Sequence, residues 1–298
     1  MMPKPWPWNH LKSLRPADWG IGMTVCISAI CKNGKDKNCV IMASDQMLCM
    51  GGYTSADRCT IKLDPLYYHW FSQFAANNIS AVFPIYESIR KLEVVVTAVT
   101  DVAGLCKAAY KSQRLERIED EILSAYGLTW KDMKTNIRER LSERDFQILT
   151  ERIRQYDLDV EMLVGGFDDC SLPHIFTIRN PGTVDYYDKL GFWAIGSGQP
   201  NALASLFSSH YRTTAPLDEC VAHVLSAKFS AESAQGVGKS TFLAIYTSED
   251  ELLFLTPKLE EDVKEEWNEL PRIPKAHLSK IREELYQSMT TPSKQSDS

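Results

Sequence analysis

What most constrains the fold of this chain is a repeated change in the period of its apolar residues. Residues 25–30 and 39–44 are short apolar runs rich in strand formers, joined by the Asn-Gly-containing stretch KNGKDKN, which reads as a hairpin connection. Residues 61–63 and 67–75 read as two more strands, broken at Asp64-Pro65. From about residue 78 to 126 the spacing becomes helical, with Ile85, Ile89, Leu92 and Val96 in phase and Pro84 near the start, where proline is tolerated. A second helical stretch covers residues 130–156. Strands return at 160–164, 174–178 and 183–187, with Pro181-Gly182 as a turn. Residues 199–211 and 217–234 read as helices, and 240–246 and 251–255 as strands. Blocks of strand and helix segregated in this way predict antiparallel sheets with helices packed against them, an α+β architecture.

Composition narrows the function classes. A chain of 298 residues, 44% of them hydrophobic, has ample material for a core. A net charge of −6 gives no support to a nucleic-acid or membrane-surface role. No apolar run is long enough to span a bilayer, and the segment before Met23, with prolines, tryptophans and no continuous apolar stretch, does not read as a secretory signal. The eight cysteines show no metal-ligand spacing and read as free thiols of the reducing cytoplasm, with a Cys31–Cys39 bridge as the lesser alternative. The six histidines stand apart, so no metal site is expected.

Two groups of residues invite a chemical reading. Gly236-Val237-Gly238-Lys239-Ser240-Thr241 has the look of a phosphate-binding loop, but Ser233 stands where that pattern needs glycine. The order is also reversed, with helix before and strand after, so a plain turn is expected. The second group is Thr24 at the opening of the first strand, Asp45 at the end of the second and Lys62 in the third. Neighbouring antiparallel strands would bring them to one end of a sheet. A hydroxyl, a carboxylate and an ammonium form a nucleophile group, the lysine stabilising a developing alkoxide and the aspartate holding the lysine. Threonine in a strand, aspartate at a strand end and lysine on an exposed face are equally ordinary, and spacing alone leaves both readings open.

An ordered set of segments resembles proteasome β-type subunits and their bacterial relatives, including the HslV-type peptidases. The segments are MTVCISAI (residues 23–30), VIMASDQM (40–47), GGYTSADRCTIKL (51–63), VGGFDD (164–169), PHIFTI (173–178) and AIGSG (194–198). The resemblance spans roughly residues 24–247 and is weakest in the helical middle. It implies an N-terminal-nucleophile hydrolase fold, a four-layer αββα sandwich with two antiparallel sheets between helical layers. It implies a threonine-type peptidase or amide hydrolase that needs no cofactor and no metal. Thr24 matches the nucleophile, Asp45 the acidic residue, Lys62 the lysine, and Ser197 a serine that orders the site. The implied partners are a peptide or protein substrate, further copies of the chain in a ring, and an ATP-dependent unfoldase, with neither nucleic acid nor membrane.

In that mechanism the nucleophile's own α-amine is the base, so Thr24 must become the first residue. Residues 1–23 are then an extension or propeptide removed by self-cleavage, or translation begins at Met23 and that methionine is trimmed. Residues 24–256 form the hydrolase domain, and residues 257–298 a charged C-terminal arm and polar tail in which Leu278, Ile281, Leu285 and Met289 could line one helix face. Three positions depart from the family pattern. Ala76 stands where the family has the glycine of the oxyanion hole. Glu232 and Gln235 replace a late Asp and Ser of an Asp-x-x-Ser-Gly motif. Met47 stands where an arginine is common. The alternative consistent with these departures is a catalytically inactive ring subunit with a structural or assembly role; a small-molecule amidase on the same fold is a third.

Overall fold

The computed structural model describes residues 24–33, 37–50, 54–77, 79–91, 98–135 and 137–269. The expected extension before Thr24, the tip of the first hairpin, Leu92 and Val96, and the helix face at 278–289 lie outside the described residues. The chain divides into two compact units, Met1–Leu255 and Thr256–Ser298.

The first unit is built on two five-stranded antiparallel sheets. The first sheet contains β1 (Cys26–Asn33), β2 (Lys37–Asp45), β10 (Phe192–Ile195), β11 (Thr241–Thr247) and β12 (Leu252–Phe254), in the order β10-β1-β2-β11-β12. The second contains β5 (Leu63–Tyr67), β6 (Trp70–Ala76), β7 (Val160–Phe167), β8 (Pro173–Arg179) and β9 (Thr183–Tyr186), in chain order. A small hairpin, β3 (Leu48–Met50) with β4 (Thr54–Ala56), lies between β2 and β5 in sequence. The helices are α1 (Val82–Arg90), α2 (Val99–Ile118), α3 (Trp130–Thr135), α4 (Ile137–Arg140), α5 (Glu143–Gln155), α6 (Gln199–Ser208) and α7 (Leu217–Ala231). The second unit contributes α8 (Pro257–Glu269).

The apolar runs that define the strands are buried on both faces. Between the sheets, Cys26, Ile30 and Ile195 of the first meet Ala75, Leu163 and Ile175 of the second. Val40, Met42 and Ala244 meet Leu63, Phe71 and Phe167 in the same way. The outer face of the first sheet is covered by α6 and α7, and that of the second by α1 and α2. There Ile85, Ile89, Cys106 and Tyr110 pack on Phe74, Met162 and Phe176. Helix, sheet, sheet, helix is the four-layer α+β sandwich that the sequence reading expects. A polar strut crosses the sandwich: Ser28 donates to Gln73 Oε1 (3.1 Å), and Gln73 Nε2 donates to the Ala43 carbonyl (2.9 Å).

Some elements differ from expectation. Asp64-Pro65 does not interrupt a strand but sits inside β5; β5 is an edge strand, where a residue without an N–H costs no ladder bond. The break falls instead at Tyr68, with φ 39°. The β3–β4 hairpin was not expected, and the stretch from 119 to 126 continues α2 as a π turn and a 3-10 turn. Cys31 and Cys39 face each other in register across β1 and β2, and no disulfide joins them.

Candidate active site

The fold brings Thr24, Asp45 and Lys62 into one buried contact, by a route different from the one expected. Thr24 and Asp45 come from neighbouring strands of the first sheet: Thr24 precedes β1, Asp45 closes β2, and the Asp45 N–H donates to the Val25 carbonyl (3.2 Å). Lys62 does not lie in a third strand of that sheet. It immediately precedes β5 of the second sheet and reaches across the sandwich. Its Nζ stands 2.5 Å from Thr24 Oγ1 and 2.8 Å from Asp45 Oδ1, and Thr24 Oγ1 donates to the same carboxylate oxygen. Thr24 is 1% exposed, Asp45 0% and Lys62 3%.

The two oxygens of Asp45 have separate partners. Oδ1 takes Thr24, Lys62 and the Val25 N–H (2.9 Å). Oδ2 takes the N–H groups of Met47 (3.1 Å) and Gly238 (3.2 Å). Five donors on one buried carboxylate fix its plane. The Lys62 Nζ lies beside the Thr24 oxygen, where an ammonium lowers the cost of an alkoxide.

Ser197 closes the other side of Thr24. The Thr24 N–H donates to Ser197 Oγ (3.2 Å), and the Gly198 N–H donates to the Thr24 carbonyl (3.1 Å). Ser197 Oγ lies within hydrogen-bond distance of the carbonyls of Gln235 (3.1 Å) and Thr24 (3.3 Å). Gly196 is required here: φ is +90°, and a Cβ would sit 2.4 Å from the Thr24 carbonyl oxygen.

Ala76 ends β6. The next residue, Asn77, donates its N–H to Asp159 on the β7 side. Antiparallel alternation therefore turns the Ala76 N–H to the opposite edge, the edge on which β5 and Lys62 lie. An alanine N–H there is as good a donor as a glycine one. A cavity of about 360 Å³ lies alongside, lined by Ala76, Gly196 and Ser197 together with Asp157, Asp159 and Glu161. Cys26 beside the group is a structural thiol: burial pushes it up to about 12, and it donates to the Phe74 carbonyl (3.3 Å).

Glu232 is not at the site. It pairs with Lys228 (2.6 Å) one helical turn away. Gln235 contributes a carbonyl rather than a side chain. The glycine whose N–H reaches Asp45 is Gly238, not Gly236. Met47 contributes only its N–H. Sequence reasoning missed these backbone donors because any residue carries an N–H; the one available signal was the glycine-rich loop at 236–241, which was read as a plain turn.

A family model described as proteasome subunit matches residues 113–242, which run from within α2 to the start of β11. That part of the chain is similar to proteasome subunits. The match includes Ser197 but does not reach Thr24, Asp45 or Lys62. Among solved structures, the proteasome-like fold is shared with a mutant Anbu, "Gly-1", from Hyphomicrobium sp. strain MC1. That structure is 16% identical, with a TM-score of 0.56 over 82% of this chain and 93% of that one. The Anbu of Yersinia bercovieri, described as an ancestral beta-subunit, is 15% identical, with a TM-score of 0.58 over 84% of this chain and 99% of that one. A search of the curated proteins returns no match.

Proposed function

We propose that this proteasome-like chain is a threonine-type amide hydrolase acting on peptides or proteins, with Thr24 as the nucleophile once the residues through Met23 are removed. The observation that carries the reading is the buried contact of Lys62 Nζ with both Thr24 Oγ1 and Asp45 Oδ1. Loss of the Met23 linkage turns the Thr24 amide nitrogen into an amine with a reference pKa of about 7.7–8.0, a competent base near neutral pH. Thr24 Oγ1 attacks the scissile carbonyl, and its proton passes to that amine. Lys62 holds the oxygen as its charge develops, and the Ala76 N–H is placed for the carbonyl oxygen as it becomes an oxyanion. Collapse breaks the C–N bond, and the ammonium returns the proton to the leaving amine. Water then hydrolyses the Thr24 ester by the same relay. Ser197 orients the amine through its oxygen. No cofactor or metal enters these steps. Assembly into a ring of identical chains, an ATP-dependent unfoldase partner and a cytoplasmic location belong to the same proposal. Among the described residues, no helix is long and apolar enough to cross a membrane.

A second reading, an inactive ring subunit, draws on one observation: in the chain as it stands Thr24 is 1% exposed and its nitrogen is an amide. Intact mass and N-terminal sequencing of protein purified from its native host separate the two. A chain beginning at Thr24 that is labelled by a peptide epoxyketone supports the hydrolase. That reagent needs both hydroxyl and amine: the hydroxyl adds to the ketone and the amine opens the epoxide, forming one ring. A chain that retains Met23 and takes no label refutes it.

A further inference from the structure

The loop that looks like a phosphate cradle does bind anions through its backbone, but those anions are carboxylates of this chain. The Gly238 N–H donates to Asp45 Oδ2 (3.2 Å). The next two N–H groups, of Lys239 and Ser240, both donate to Asp57 Oδ2 (3.0 Å each), and the Ser240 hydroxyl donates to the same oxygen (3.1 Å). Consecutive N–H groups converging on negative charge are the shared physics of such loops. Asp57 directly follows β4, and its other oxygen accepts the Arg58 N–H (2.9 Å). Arg58 Nε donates to Ser240 Oγ (3.2 Å). From the opposite side, fully buried Lys228 of α7 donates to the Lys239 carbonyl (2.9 Å). Gly238 has no freedom to gain a side chain, since a Cβ would lie 2.6 Å from Met47 Cβ and 2.9 Å from Asp57 Oδ1.

The loop matters because of what its first residue holds. Asp45 Oδ1 serves Thr24 and Lys62, while Oδ2 is fixed by Gly238 and Met47. Release of Gly238 frees the carboxylate plane to rotate and loosens Oδ1 from Lys62. We propose that Asp57 is a positioning residue, whose carboxylate clamps residues 238–240 so that the Gly238 N–H locks Asp45 in the orientation that presents Lys62 to Thr24. This rests on the reading of Thr24 as nucleophile. The Asp57 carboxyl is held below its ordinary range: burial opposes the charge, but the donated hydrogen bonds from Ser240, Arg58 and Lys239 outweigh it.

The test uses processed protein with a free Thr24, a peptide amide substrate, and hydrogen exchange read at the Gly238 N–H. Asp57→Ala is expected to lower kcat about 10-fold at unchanged KM, because its loss acts through the orientation of Asp45 and Lys62. Gly238 exchange accelerates in the same variant. Asp57→Asn, which keeps one acceptor oxygen toward the loop, restores kcat to within about three-fold of wild type. A folded Asp57→Ala with wild-type kcat overturns the proposal, and so does a loss of kcat with Gly238 exchange unchanged. If Asp57→Ala does not fold, Asp57→Ser takes its place: faster Gly238 exchange with reduced kcat supports the clamp, and wild-type values of both overturn it. If wild-type protein with a free Thr24 neither hydrolyses nor takes the epoxyketone label, the hydrolase reading fails instead. Gly238 exchange in Asp57→Ala then judges the clamp alone, faster supporting it and unchanged overturning it.

Discussion

Removing either partner of the Asp45–Lys62 pair should destabilise the fold by unequal amounts, and the inequality is set by what each leaves behind. The pair is 2.8 Å apart, with side chains 0% and 4% exposed. Breaking a buried pair from one side costs about 3–5 kcal/mol. In Lys62→Met the orphaned carboxylate keeps four donors: Thr24 Oγ1 and the N–H groups of Val25, Met47 and Gly238. The cost should sit at the lower end, about 3 kcal/mol. In Asp45→Asn one oxygen becomes an NH2 that faces only donors, Met47 and Gly238 at the Oδ2 position or Thr24, Val25 and Lys62 at the Oδ1 position, and the Lys62 ammonium loses its counter-charge in either case. The cost should sit at the upper end, about 5 kcal/mol. The double variant has no unpaired ammonium, so it should be less destabilised than the sum by about 2 kcal/mol. Guanidinium unfolding of the single and double variants at one fixed protomer concentration measures all three numbers. Lys62→Met costing as much as Asp45→Asn would refute the count of remaining partners. A double variant additive to within about 0.5 kcal/mol would refute the direct contact itself.

Thr24→Ala should fold normally and lose all peptide hydrolysis and all epoxyketone labelling; residual hydrolysis at the wild-type rate would remove Thr24 from the mechanism. Gly196→Ala forces a Cβ to 2.4 Å from the Thr24 carbonyl at φ +90° and should destabilise by about 2–4 kcal/mol, read as a lower denaturant midpoint. His174, stacked on Trp70, is opposed in its charged form by burial but held above its ordinary value of 6.5 by Asp188 and Asp168. A raised folded pKa contributes stability that is fully present below about pH 6.5 and is lost as pH rises through the folded value. His174→Gln should therefore flatten the stability profile above pH 6.5, and a variant with the wild-type slope there would exclude this histidine as its source.

The strands were legible because their burial is two-sided, giving the continuous runs of β2 and β7. Pro65 misled because sequence does not reveal which strand is an edge. The candidate group Thr24, Asp45 and Lys62 was legible as residue types at strand ends, but the path of Lys62 was not. β3 and β4 pair as a hairpin before the chain enters the second sheet, and nothing in TIKL distinguishes its two possible sheets. The Oδ2 donors were illegible for a different reason: they are main-chain groups, named by geometry rather than by side chain. The loop at 236–241 offered the right physics under the wrong ligand.

Lys62 belongs to one half of the sandwich and Thr24 with Asp45 to the other. Without the second sheet docked, the first holds a threonine beside a carboxylate, with no cation to steady an alkoxide. The ammonium arrives when Leu163 and Ile175 seat against Cys26 and Ile30. Assembly of the three-residue group thus depends on hydrophobic docking of the two sheets. Conditions that part the two sheets separate Lys62 from Thr24 and Asp45.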